Sequence, residues 1–165
     1  MKSLLRFVIG AFVIIAAGIP SPLLAAEQLD VTFCYSGTSP DFHDNKELLP
    51  AASFSQNGIM TSNAPNKMLD NAVVHCEGVQ RGTGPERSGY GICKIIDSDG
   101  DIIIGEFPYT GINYDVKFLD GTGKWKGIKG TLHSERTHVN KPGRAAMPGT
   151  YQGCRREKGS FELSK

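Results

Sequence analysis

Three aspartates at alternate positions, Asp97, Asp99 and Asp101, carry the densest oxygen-donor chemistry in the sequence. Calcium takes six to eight oxygens, and the EF-hand form of loop puts glycine sixth and glutamate twelfth. Here glycine comes fourth, at Gly100, and the twelfth position is Pro108. An Asp-Gly step supplies the positive-φ residue of a tight hairpin, so a turn is expected there rather than a metal site. His75 and Glu77 are the next candidates: two residues apart on a strand, they share one face and form a possible acid–base couple or an outward polar patch. His133 and Glu135 also share a face, while His138 points the other way, so the three do not converge on one metal. No Gly-x-Ser-x-Gly elbow is present, and the glycines at 82, 84, 89 and 91 lack the lysine and helix of a phosphate loop. The reading assigns no catalytic residue and no cofactor.

A different kind of site is suggested by aromatic residues. Trp125 sits in Gly-Lys-Trp-Lys-Gly. If that stretch is a strand, Lys124 and Lys126 face out and Trp125 faces in. With Phe107, Tyr109, Phe118 and His75 it makes the candidate ligand-binding set; the competing role for these rings is a packed core, since small barrels are filled mostly by side chains.

These residues need elements to position them. Leu29, Val31 and Phe33 alternate with polar partners, the period of a half-buried strand. Further strands are expected at Ala72–Gln80, Gly89–Ile96, Ile102–Phe107 (ended by Pro108), Tyr114–Leu119, Lys124–Ile128, Thr131–Val139 and Thr150–Arg156, with a short one at Phe161–Leu163. Lys46–Ala52 reads as a short helical turn, and Ser53–Met60 is ambiguous. No sustained helical period follows the N-terminal segment, and turns recur at the spacing of an all-β sandwich or barrel. The fold expected is all-β: a single antiparallel β-barrel of about eight strands over residues 27–165.

Residues 1–26 have the order of a secretory signal helix: Lys2 and Arg6, an apolar run from Phe7 to Ile19, Pro20 and Pro22, then Ala25 and Ala26. The run is shorter than the ~20 residues of a membrane span, so no stable span is expected after processing, and the address is secreted or periplasmic. An even count of cysteines in an exported chain reads as disulfides. Cys76 and Cys93 flank one loop and are expected to pair; Cys34 with Cys154 would then tie the first strand to the last. Charge is unevenly spread: residues 27–120 hold 6 Lys/Arg against 14 Asp/Glu, and residues 121–165 hold 10 against 3. Folding can mix the two halves or leave a basic face.

The pattern of Cys76, Gly78, Gly91, Cys93, Asp97, Asp99, Gly100 and Asp101, followed by Gly-Thr-Gly-Lys-Trp-Lys-Gly-Ile-Lys-Gly from Gly121 to Gly130, resembles secreted bacterial proteins with an allene oxide cyclase-like or dirigent-like β-barrel. That resemblance implies the same barrel and transfers no catalytic residue. The function expected is that of an exported, disulfide-stabilised barrel binding a small apolar ligand or an envelope partner. One alternative is an isomerase or cyclase acting on a hydrophobic substrate in the barrel. Another is a protein-binding or inhibitor module using the basic C-terminal portion. No nucleic-acid partner is expected, and the oligomeric state is left open.

Overall fold

The computed structural model describes residues 26–43, 45, 47–82, 84–111, 113–135 and 149–164. The signal segment up to residue 25, together with His138 and Val139, lies outside the described residues. Eight strands run in chain order: β1 (Glu27–Thr38), β2 (Ala51–Ser62), β3 (Ala72–Arg81), β4 (Ser88–Ile96), β5 (Ile102–Thr110), β6 (Asn113–Gly121), β7 (Ile128–Glu135) and β8 (Thr150–Leu163). Each pairs antiparallel with its neighbour, and β8 pairs with β1 from Glu27↔Phe161 to Thr38↔Thr150, which closes the barrel. Closure removes the free sheet edges that would otherwise template pairing with other chains. Among the described residues there is no α-helix.

The alternation of side chains sends Leu29, Val31 and Phe33 of β1 inward, with Val74, Ile95, Ile103, Phe118, Leu132 and Phe161 from around the ring. Full burial of each such side chain contributes about 1.5–3 kcal/mol. Charge segregation along the chain is partly undone by closure, because basic β8 lies against β1. Arg156 donates through Nε to Asp30 Oδ1 at 2.7 Å and through a terminal nitrogen to Oδ2 at 2.5 Å. These bonds hold the Asp30 carboxyl below its usual range.

Both expected disulfides form, at directly opposed positions: Cys34↔Cys154 across the β1–β8 closure and Cys76↔Cys93 across β3–β4. They occupy opposite sides of the wall. Cys76 and Cys93 are buried in the core, whereas Cys34 lies on the outer surface. Both bonds fit an oxidising compartment.

Inside the barrel, aromatic rings are registered against glycines. Gly78 opposes Phe54, Gly89 opposes Tyr109, Gly91 opposes Phe107, and on β8 Gly153 opposes Tyr35 while Tyr151 opposes Gly37. A Cβ added at Gly91 would overlap the Phe107 ring, and one at Gly78 the Phe54 ring. The rings therefore lie across bare backbone rather than standing upright into the lumen.

Several elements differ from the sequence expectation. Ala51–Ser62, read as a helical turn followed by an ambiguous stretch, is a full strand whose inward positions include Gln56 and Ser62. Pro108 does not end β5. The β5–β6 pairing lapses at Phe107 and Pro108, where the missing N–H is tolerated, and resumes at Tyr109↔Tyr114. Lys124–Ile128 is not a strand. Gly123–Trp125 forms a short 3₁₀ turn, with Gly123 at φ 52° and Gly127 at φ 74°, and β7 begins only at Ile128. Positive φ at both glycines bends the chain where an extended strand would have continued.

Candidate functional site

The two ends of the barrel differ. One end is plugged: Met60, Leu69, Ile103, Trp125, Ile128 and Phe161 are buried there, and the Trp125 indole meets Phe161 edge-on at 5.3 Å between centroids. Asp97, at the end of β4, anchors this plug. Its Oδ1 accepts the backbone N–H groups of Asp99 (2.8 Å) and Asp101 (3.0 Å). Its Oδ2 accepts the Trp125 indole N–H at 2.7 Å and pairs with the Lys124 ammonium at 2.8 Å. Burial alone would raise the Asp97 carboxyl; the bonds from Lys124, Trp125 and the two amides outweigh it and hold the group below its usual value. Lys124 also pairs with Asp99, and Asp101 Oδ2 accepts the Lys124 backbone N–H at 3.1 Å. The aspartates that resembled a calcium loop thus serve as a turn and a buried clamp on a lysine and an indole.

The other end holds a cavity of about 360 Å³. It is lined by four tyrosines, Tyr35, Tyr109, Tyr114 and Tyr151, and by Phe54 and Phe107. Gln56, Gln80, Ser134, Arg87 and Arg155 supply its polar lining. The glycine–aromatic register opens this space. Hydrogen bonds fix much of the wall: Tyr109 O–H donates to Gln80 Oε1 (3.1 Å), Gln80 Nε2 to Ser39 Oγ (2.9 Å), and Tyr151 O–H to Gln56 Oε1 (3.3 Å).

At the deep side, β8 turns Arg155 and Glu157 inward. The Arg155 guanidinium lies 4.4 Å from the Tyr35 ring centre and 4.6 Å from that of Tyr114, with Phe33 at 5.9 Å. Cation–π attraction of this kind strengthens when the pair is desolvated. Glu157 is 1% exposed; its Oε1 accepts the Tyr114 O–H at 3.5 Å, and Oε2 has no hydrogen-bond partner. Burial raises the Glu157 carboxyl, against the opposing pull of Arg155 and Tyr114. Burial also raises the phenols of Tyr109, Tyr114 and Tyr151, Tyr114 strongly and Tyr151 to about 12. These three are therefore neutral O–H donors at any ordinary pH. Arg155 remains charged, since a guanidinium keeps its proton in proteins.

A raised carboxyl in the folded state means that folding takes up a proton. The stability contributed by neutral Glu157 is full below the ordinary glutamate value of about 4.3 and is lost as pH rises from there through the folded-state value. Asp30 and Asp97, both lowered, act in the opposite sense, losing their contribution as pH falls. Urea unfolding of the wild type and Glu157→Gln between pH 4 and 8 separates the two effects. The wild type is expected to lose stability relative to the variant as pH rises, and a constant difference would refute the assignment.

Of the residues nominated from sequence, Phe107 and Tyr109 line this cavity. Trp125 and Phe118 lie in the packed core and are not among its lining residues. His75 is on the outer wall, bonded through Nδ1 to Asn57 (2.8 Å) and through Nε2 to Glu77 (3.1 Å). His133 faces outward too and pairs with Asp115 at 2.6 Å. Sequence reasoning missed Tyr35, Tyr114, Tyr151, Arg87, Arg155 and Glu157. Comparison with family models, curated proteins and solved structures returned no match to this chain.

Proposed function

We propose that this chain is an exported binding protein that takes a small molecule with a largely apolar body into the open end of its barrel. The observation that carries the reading is the asymmetry of the interior: one end is filled and clamped by Asp97, the other keeps a cavity of about 360 Å³ walled by aromatic faces. Volumes of this order accommodate small ligands, and aromatic walls with a few fixed polar groups are the usual make-up of such sites. The signal-like N-terminus and the two disulfides support an extracytoplasmic address. N-phenyl-1-naphthylamine, a neutral apolar fluorophore, is expected to bind saturably at one site per chain. Native mass spectrometry of protein purified from its source is expected to show a co-purifying small molecule. Unsaturable dye fluorescence together with a bare-chain mass would end the binding reading.

An isomerase or cyclase reading is favoured by one specific observation: a buried carboxyl, Glu157, sits beside the Tyr114 hydroxyl and a fixed cation at the deep side of the cavity. Those groups could move a proton and steady developing negative charge on a bound substrate. The protein-binding alternative draws less from β8, since Arg155 faces the interior and Arg156 is engaged by Asp30.

A further inference from the structure

We propose that the cavity selects a molecule bearing an anionic group, a carboxylate or sulfonate on a flat apolar body, and that Arg155 and Arg87 hold that group. The inference rests on the binding reading above and names the ligand's chemistry. Among the described residues two arginines line the cavity and no aspartate or glutamate does. In both arginines Nε is buried without a hydrogen-bond partner. A buried, unmatched donor on a charged group is costly, and an anionic acceptor removes that cost while gaining a charge-assisted bond. Arg155 is already held between the rings of Tyr35 and Tyr114, so binding has little side-chain freedom left to remove. Arg87 approaches from the segment between β3 and β4, its guanidinium 5.9 Å from the centre of the Tyr109 ring. Glu157, the inward carboxyl two residues along β8 from Arg155, is itself buried, and burial raises its carboxyl against the pull of Arg155. Phe54, Phe107 and the tyrosine faces offer planar apolar contact to the remainder of the ligand.

A matched pair of probes isolates the charge. N-phenyl-1-naphthylamine and 8-anilinonaphthalene-1-sulfonate share one aromatic skeleton and differ by the sulfonate. Fluorescence titration of the full protein is expected to show the sulfonate binding at least tenfold tighter. Arg155→Met should erase that preference, and Arg87→Met should reduce it severalfold. Equal affinities in the wild type, or a preference that survives both substitutions, overturns the anion assignment while leaving the binding site standing. Failure of both dyes to bind saturably removes the site itself. Should Arg155→Met not fold, as judged by its circular dichroism, the wild-type ratio and Arg87→Met decide the matter.

Discussion

Asp97→Ala is expected to lower the unfolding free energy by about 3–5 kcal/mol, because it strips several hydrogen-bond donors at this end of their shared acceptor. The carboxylate carries four attachments: the Trp125 indole, the Lys124 ammonium and the amides of Asp99 and Asp101. Alanine leaves the indole N–H and the two amides without their acceptor, and each unsatisfied buried group costs about 1–3 kcal/mol. Asp99→Ala is the control. That side chain is 70% exposed, and its pairing with Lys124 is of the surface kind, worth about 0–1 kcal/mol. Chemical denaturation of the two variants should therefore differ several-fold in effect. Similar losses for both would show that the turn, and not the buried clamp, holds this end together.

The second large effect concerns the disulfides. The Cys34–Cys154 bond spans 120 residues and the Cys76–Cys93 bond spans 17. In the chain-entropy account stabilisation grows with the logarithm of loop length. Removing the first bond by paired alanine substitution is then expected to cost about 4–5 kcal/mol, roughly 1.7 kcal/mol more than loop entropy assigns to the second. Burial works against that difference. Cys76 and Cys93 sit in the core, so their replacement also forfeits packing, whereas Cys34 is on the surface. Urea unfolding of each double variant measures the balance. A larger loss for the Cys34–Cys154 variant means that loop closure dominates; the reverse order would mean that interior packing does.

How far the sequence could be read depended on whether polarity tracked the wall. In β1 it did, with Leu29, Val31 and Phe33 inward, and the alternation is plain. In β2 it did not. Gln56 and Ser62 point inward while Ile59 stands 52% exposed, so the period-two signal cancels and a twelve-residue strand reads as irregular. The disulfide pairs were legible from spacing, but nothing in the spacing says which bond faces the lumen. At the site, Phe107 and Tyr109 announced themselves as aromatics on a strand. Arg155 and Glu157 hid in Cys-Arg-Arg-Glu-Lys, which looks like a solvated basic edge. A faint signal was there: Gly153, Arg155, Glu157, Gly159 and Phe161 fall on alternate positions, so an inward Phe161 implies inward charges. Trp125 does face the core, but the strand expected around it is absent because Gly123 and Gly127, at positive φ, turn the chain out of the extended form its neighbours suggested.

The pairing of Glu27 with Phe161 brings the first and last strands out side by side at the clamped end, opposite the cavity mouth. Neighbouring backbones in such a ladder lie about 5 Å apart. A few glycines would therefore suffice to join residues 26 and 164 into a covalent ring. A tether at either point would likewise present the mouth to solvent, so the barrel can be fixed to a bead or sensor surface with its ligand entrance unobstructed.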